Sequence, residues 1–172
     1  MHTSLAYLVA EKLIKDGNMR VIAPVRVRES DRVDALIRNY GENVIVSDFS
    51  PLDFQEAKEL VAAANYILNL DFVGMPESEH FPDFAEKVNY FYTKNLVDAV
   101  IETGSDAKII ELSTTGIYGG RTMKRPYAAV GHPAMPAYYD LASVSKLRGE
   151  RYLVAVSYTH LRAHETTLHL VC

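Results

Sequence analysis

Apolar side chains recur at helical spacing in several stretches of the chain. In the first stretch, Leu5, Leu8 and Val9 lie three and four residues apart, and Gly17 follows the last apolar position. Spacing of this kind places the apolar side chains on one face of a helix, and glycine is typical just after a helix ends. The same pattern predicts helices over residues 4–15, 31–40, 53–64, 83–103 and 138–155.

Short apolar runs lie between these helices and predict strands. They cover residues 20–25, 43–46, 66–70 and 107–112. Because parallel neighbours need crossover helices between them, regular alternation of strand and helix indicates a parallel sheet covered on both faces. The sequence therefore predicts an α/β fold of the doubly wound, Rossmann-like type.

Hydroxyl side chains follow the strand predicted at residues 107–112. Ile109, Ile110 and Leu112 form its apolar run, and Ser113 and Thr114 come directly after it. Ligands of open α/β sheets bind beyond the carboxyl ends of the strands, so both hydroxyls are candidates for a site. The alternative is that they only hydrogen-bond a turn.

The beginning of the chain departs from a complete doubly wound domain. Such a domain opens with a strand and a glycine-rich turn, whereas here the first helix begins almost at Met1. We therefore predict a partial Rossmann-like domain over residues 1–155 that lacks its first strand. The sheet should show either a gap between the strands at 20–25 and 66–70 or direct pairing across it. The fragment alone should be marginally folded or should aggregate.

Composition narrows the range of functions. The 172 residues are 48% hydrophobic and 23% charged, with a formal net charge of −4, which is typical of one globular domain. There is no basic stripe for nucleic acid and no apolar run of the roughly 20 residues that would span a membrane. We expect a cytoplasmic protein. Cys172 is the sole cysteine, so neither an internal disulfide nor a cysteine metal site is expected.

The last residues of the chain are interpreted as foreign to the native protein. Residues 156–166, VSYTHLRAHET, match a translated sequencing adapter, so residues 156–172 are interpreted as a non-native tail. The alternative is a genuine surface segment. His160, His164 and His169 have helical spacing that imitates a metal site, but no metal site is predicted there.

Four segments together resemble one known family, the extended short-chain dehydrogenase/reductases, which include the NAD-dependent epimerases and dehydratases. The resemblance covers residues 3–155 and preserves the order of the family's motifs. The segments are AEKLIKDGN at 10–18, VNYFYTKNLVDAV at 88–100, LSTTGIYGG at 112–120 and SKLRGERYL at 145–153.

The resemblance implies catalytic roles for two residues. Thr114 occupies the position that hydrogen-bonds the reacting oxygen of the substrate, and Lys146 the position that binds the nicotinamide ribose and lowers a tyrosine's pKa. The family's tyrosine position is Ala142 here, which cannot transfer a proton. Tyr139 is the candidate substitute, with aromatic packing as its alternative; the alternative for Lys146 is an exposed helix lysine.

The resemblance also implies a nicotinamide cofactor. The segment beginning at Thr3 replaces part of the family's glycine-rich turn, and Asp48 with Phe49 matches the pair that contacts adenine. Arg26 suits a 2′-phosphate, which favours NADP over NAD, although a solvated surface arginine is the alternative. The implied cofactor-binding residues are Thr3, Ser4, Leu5, Arg26, Asp48, Phe49, Leu70, Asn89 and Lys146.

The preferred hypothesis is a fragment of an NAD(P)-dependent epimerase, dehydratase or reductase. Relatives of this type often act on sugar nucleotides, so the implied partner is such a small molecule, and the full-length protein could form a homodimer. Two alternatives remain open. One is a non-catalytic NAD(P)-binding sensor, and the other is an interaction protein that keeps only the fold.

Overall fold

The computed structural model describes residues 4–17, 19–25, 31–119, 121–124, 126–129 and 131–159. Helices and short strands alternate through most of this part of the chain. The helices are α1 Ser4–Gly17, α2 Asp31–Tyr40, α3 Phe54–Ala62, α4 Glu77–His80, α5 Pro82–Glu86, α6 Tyr92–Thr103 and α7 Leu141–Thr159. The strands are β1 Val21–Pro24, β2 Val44–Ser47, β3 Tyr66–Asn69 and β4 Lys108–Glu111.

Local sequence explains where two of the helices begin or end. The carboxylate of Asp53 accepts hydrogen bonds from the N–H groups of Gln55 and Glu56, which would otherwise lack partners at the first turn of α3. Helix α6 ends at Thr103, and the next residue, Gly104, has a φ of +62°. Only glycine adopts that left-handed conformation without steric cost, so it stops the helix.

The strands form two separate parallel pairs. Strand β1 pairs with β2, with Val21 opposite Val44, and β3 pairs with β4, with Tyr66 opposite Lys108. Among the described residues no ladder joins β1 to β3. The prediction of a parallel, doubly wound arrangement is confirmed, and in the part of the chain that the structure describes a gap is observed where direct pairing of β1 and β3 was the other expected outcome.

A cavity of about 1210 Å³ lies between the two pairs. All four residues of β1 and all four of β3 line it, together with apolar side chains from helices α1, α3 and α6. We call this space the slot. It is the main consequence of the split sheet.

Each pair of strands has its own apolar core. Residues Ala10 and Ile14 of α1 pack with Leu36 of α2 and Val44 of β2. The other core joins α3, α6, β4 and α7. Its buried members are Ala57, Val61, Leu96, Val97, Ala99, Val100, Ile109, Leu153 and Val156.

Several element boundaries differ from the sequence prediction. The predicted loop at 71–82 contains α4, and the helix predicted over 83–103 is divided by a π-helical turn at Lys87–Phe91. Helix α7 begins at Leu141 instead of residue 138, so the segment before it forms a turn.

Helix α7 also continues past residue 155 to Thr159. Val156 follows Leu153 by three residues and therefore lies on the same helical face, where it is 8% exposed within the core. The interpretation of residues 156–172 as non-native stays a prediction, and residues 160–172 lie outside the described part of the chain. Every described helix is too short or too polar to cross a lipid bilayer.

Candidate functional site

Helix α7 places a buried lysine beside the carboxyl end of β4. The side chain of Lys146 is 0% exposed, and its Nζ donates to Oε1 of Glu111, the last residue of that strand. Lys146 is therefore not the exposed helix lysine that composition alone allowed. It lies at the strand end that also carries the two predicted hydroxyl residues, Ser113 and Thr114.

The lysine belongs to a chain of buried hydrogen bonds that joins four elements, β3, α6, β4 and α7. The hydroxyl of Thr93 donates to Glu111 Oε1 at 2.9 Å, and Nδ2 of Asn69 donates to Thr93 Oγ1 at 3.2 Å. In the described part of the chain, Oε2 of Glu111 has no hydrogen-bond partner. We call Asn69, Thr93, Glu111 and Lys146 the buried polar cluster. Within it the charges of Lys146 and Glu111 neutralise each other, because an unpaired charge is costly to bury.

A second carboxylate lies one helical turn beyond Lys146. The hydroxyl of Ser113 donates to Glu150 Oε1 at 2.6 Å. Burial raises the pKa of Glu150 above its ordinary value, and the Ser113 hydrogen bond and the charge of Lys146 partly oppose that rise. The predicted site residue Ser113 thus contacts a carboxylate of α7.

Thr114 stabilises a turn, as its alternative interpretation proposed. Its Oγ1 accepts from the N–H of Gly116 at 3.3 Å and so caps the 3₁₀ turn Thr115–Tyr118. That turn approaches α7 closely, because a Cβ built on Gly116 would overlap Oγ of Ser143. The absence of a side chain at Gly116 therefore permits the close approach of this turn to α7.

Among the described tyrosines none is hydrogen-bonded to Lys146. Tyr139 precedes α7 and is 65% exposed, and its ring packs edge-on against Tyr138 with 5.4 Å between the ring centroids. Ala142 is buried. Within the described residues the hydrogen-bond partner of Lys146 is Glu111. The role of Tyr139 as a catalytic substitute stays a prediction.

Asn89 connects a loop to α7 from inside the core. Its Oδ1 accepts from the N–H of Val73 at 2.8 Å, and its Nδ2 donates to the carbonyl of Val73 at 2.9 Å and to Ser145 Oγ at 3.2 Å. These contacts use both ends of the amide. A contact between Asn89 and a cofactor stays a prediction, and the observed contacts are structural.

Three other predicted cofactor residues lie around the slot. Asp48 and Phe49 follow the carboxyl end of β2, Leu70 follows that of β3, and all three line the cavity. This is the edge of the sheet where doubly wound folds bind their ligands. The volume of the slot exceeds the roughly 300–1,000 Å³ typical of pockets for small molecules, so the slot is large enough for a ligand of that size.

The remaining predicted cofactor residues lie at or beyond the edge of the described chain. Leu5 is in the first turn of α1 and is 44% exposed. Ser4 begins that helix, but its side chain is outside the described residues, as are Thr3 and Arg26 altogether. Dinucleotide binding by these residues stays a prediction; at the strand end predicted to lie near the nicotinamide, Lys146 is bonded to Glu111 and position 142 is alanine.

Sequence reasoning missed the carboxylates that contact Lys146 and Ser113. Glu111 interrupts the apolar run of β4, and a charged residue in a buried strand needs a buried partner. The position of Glu111 therefore indicated a buried cationic partner, but it did not identify which lysine or arginine this partner is. Glu150 lies four residues after Lys146, which places both on one helical face.

Comparison with known proteins supports the fold. No protein-family model matches the sequence, and no curated protein does. Among solved structures, the UDP-glucose 4-epimerase of Thermotoga maritima with UDP-glucose is 20% identical, with a TM-score of 0.70 over 91% of this chain and 48% of that one. The Thermus thermophilus UDP-glucose 4-epimerase in complex with NAD is 18% identical, with a TM-score of 0.71 over 90% of this chain and 48% of that one.

The chain has the fold of the extended short-chain dehydrogenase/reductases. A partial consensus L-threonine 3-dehydrogenase matches equally well, with 18% identity and a TM-score of 0.70 over 91% of this chain and 47% of that one. The extended short-chain dehydrogenase/reductase fold is therefore common to structures named as epimerases and as a dehydrogenase. The chain spans about half the length of each of these structures.

Proposed function

We propose that this chain is the cofactor-domain part of an NAD(P)-dependent epimerase, dehydratase or reductase that acts on a sugar nucleotide. The observation that carries the proposal is the position of Asp48, Phe49 and Leu70 around one cavity at the carboxyl ends of β2 and β3. Residues implied by two separate segments, one after β2 and one after β3, thus lie at one edge of the sheet.

The proposed binding chemistry uses the adenosine end of the cofactor. A carboxylate accepts hydrogen bonds, so Asp48 suits the exocyclic amine of adenine, and the ring of Phe49, 37% exposed, offers an apolar surface beside it. Arg26 is proposed to pair with a 2′-phosphate and so to favour NADP over NAD.

The substrate class is proposed from the compared structures. The Thermotoga maritima epimerase holds UDP-glucose and the Thermus thermophilus epimerase holds NAD. The comparisons lend no support to the sensor alternative or to an interaction protein. The homodimer and the cytoplasmic setting stay predictions.

The proposal assigns no catalytic step to the residues near the nicotinamide end of the cofactor. A nicotinamide cofactor supplies hydride transfer, which needs a group that exchanges a proton with the substrate. Ala142 cannot do so, and Tyr139 packs against Tyr138 on the surface. The residues present therefore fit cofactor binding and not the family's usual proton transfer.

Calorimetric titration of the 172-residue chain with NAD and NADP tests the proposal. Asp48→Ala should weaken binding of both cofactors about 10- to 100-fold, the effect of losing a hydrogen bond to a charged group. Asp106→Ala is the matched control, because Asp106 is exposed and does not line the cavity. Equal affinities of the wild type and Asp48→Ala would contradict the proposal.

Cofactor preference needs a separate variant. Arg26→Ala should reduce affinity for NADP more than affinity for NAD, because only NADP carries the 2′-phosphate. Arg38→Ala, which removes an exposed arginine from α2, is the control. An unchanged ratio of the two affinities would remove Arg26 from the proposal.

A further inference from the structure

Three ionisable side chains of β4 and α7 are buried together. Glu111, Lys146 and Glu150 are 1%, 0% and 7% exposed, and the charge of Lys146 acts on both carboxylates. Burial raises the pKa of Glu150 above its ordinary value. One ammonium neutralises only one of two carboxylates, so this group is suited to gain and lose one proton at Glu150.

Charged residues on the other elements packed against α7 have their own partners or lie on the surface. Glu86 of α5 pairs with Arg148, and Asp98 of α6 pairs with Lys94. In the described part of the chain, the charges that act on Glu150 are those of the buried ion pair. The exposed ionisable residues of α4, α5 and the π-helical turn are Glu77, Glu79, His80, Asp83 and Lys87.

Ser113 connects Glu150 to the carboxyl edge of the sheet. Its hydroxyl donates to Glu150 Oε1 at 2.6 Å, and the serine itself is partly exposed. The N–H of Leu112 donates to the carbonyl of Asn69 at 3.0 Å, so the pairing of β4 with β3 continues to the residue before Ser113. Ser113 therefore lies at the same edge as Leu70, one of the predicted cofactor residues.

The protonation state of Glu150 decides which hydrogen bond Ser113 offers to a ligand. An ionised Glu150 accepts the serine hydrogen, so the serine oxygen is left to accept from a ligand hydroxyl. A protonated Glu150 donates to the serine oxygen, so the serine hydrogen is left to donate to a ligand carbonyl. The pair thus suits an alcohol in one state and a ketone in the other, and the two states differ by one proton.

We propose that Ser113 and Glu150 exchange the substrate's proton, in place of the tyrosine that position 142 lacks. The proton of a ligand hydroxyl passes to Ser113 Oγ as the serine hydrogen passes to Glu150 Oε1, and the reverse transfer returns it. Oxidation of an alcohol also removes a hydride from its carbon, which the nicotinamide cofactor accepts. The inference rests on the proposed function. Ser113 contacts the ligand, and Glu150, which acts through it, is a positioning residue.

Nuclear magnetic resonance of the 172-residue chain, labelled with ¹³C at the glutamate carboxyls, tests the proposal. The Glu150 signal is assigned by its loss in Glu150→Gln. UDP-glucose, added alone and then with NAD, should lower the titration midpoint of Glu150 by about one pH unit. The reason is that the ionised form gains a hydrogen bond from the sugar hydroxyl, worth about tenfold in affinity, and linkage is reciprocal. UDP, which lacks the hexose, is the control and should leave the midpoint unchanged.

Variants separate proton exchange from a purely structural link between β4 and α7. Ser113→Ala should raise the midpoint of Glu150 without ligand, because the serine hydrogen bond lowers the pKa of that carboxyl, and should abolish the shift with UDP-glucose. Glu150→Gln still accepts from Ser113 but takes no proton, so its affinity for UDP-glucose should not change between pH 4 and pH 7.5. Glu102→Gln, which removes a carboxylate of α6 that is 56% exposed, should keep the wild-type pH dependence.

Two outcomes would overturn the inference. One is a chain that binds NAD while the Glu150 midpoint stays unchanged at any concentration of UDP-glucose, and the other is an equal shift with UDP. Both leave the proposed cofactor binding in place. A shift with UDP-glucose and not with UDP supports the inference, and the same shift in a chain that does not bind NAD would contradict the proposed cofactor alone. The comparison of the two ligands uses the wild type, so it holds even where a variant does not fold.

Discussion

Removing Lys146 should destabilise the chain far more than removing an exposed lysine. In Lys146→Met the helix keeps a residue of similar helix propensity, but the Glu111 carboxylate stays buried with a hydrogen bond from the Thr93 hydroxyl and no cation to neutralise it. Breaking a buried ion pair by removing one partner costs about 3–5 kcal/mol. Since a typical domain has about 5–15 kcal/mol of total stability, the loss is a large part of it.

A double variant separates the ion pair from simple packing. Glu111→Gln combined with Lys146→Met leaves no buried charge, and the Gln oxygen can still accept from Thr93. The double variant should therefore recover at least about 2 kcal/mol relative to Lys146→Met, because much of the single-variant cost is the uncompensated charge. Lys12→Met is the control, since Lys12 is 78% exposed in its pair with Asp16 and should change stability little.

Urea unfolding followed by circular dichroism measures these differences as changes in the free energy of unfolding. Chemical acetylation provides an independent measurement, because a fully buried Lys146 should react much more slowly than Lys12. Two results would refute the reasoning. One is a loss below about 1 kcal/mol in Lys146→Met, well under the buried-pair range. The other is equal acetylation of the two lysines.

Two further predictions concern the contacts between β4 and α7. Because the pKa of Glu150 is raised above its ordinary value of 4.5, wild-type stability should fall as pH rises from 4.5 through the raised pKa. Glu150→Gln cannot ionise and still accepts from Ser113, so its stability relative to wild type should increase from pH 4 to pH 7.5; a constant difference in unfolding free energy would contradict this. Gly116→Ala should lower the melting temperature, because its Cβ overlaps Ser143 Oγ. Gly17→Ala should leave the melting temperature unchanged, because the added Cβ meets only the flexible side chain of Met19. Equal melting temperatures of Gly116→Ala and the wild type would contradict the close approach of the turn to α7.

Some features of this protein followed from local sequence patterns. The order of strands and helices, the position of Ser113 after an apolar strand and the gap in the sheet all depend on periodicity and on connections between neighbouring elements. These are properties of short segments, so a single sequence contains them. The resemblance to the extended short-chain dehydrogenase/reductases added the expected site, and the fold that it implied is confirmed.

The boundaries and contacts that sequence patterns missed depend on packing. The start of α7 at Leu141 placed Tyr139 in a turn, whereas the sequence pattern extended the helix through it. Asn89 lies in a motif that implies cofactor contact, yet its amide bonds the loop at Val73 and the α7 residue Ser145. Neither outcome has a local signal, because each is decided by elements that are remote in sequence.

The buried polar cluster was decided by the tertiary structure alone. Glu111 and Lys146 are 35 residues apart, and Thr93 is 18 residues before Glu111. The sequence showed a carboxylate in an apolar strand, which indicated a cationic partner, and a lysine in a helix with an ordinary exposed alternative, but nothing in it paired the two. Only the packing of α7 on β4 removes both from water, and burial then makes each charge necessary to the other.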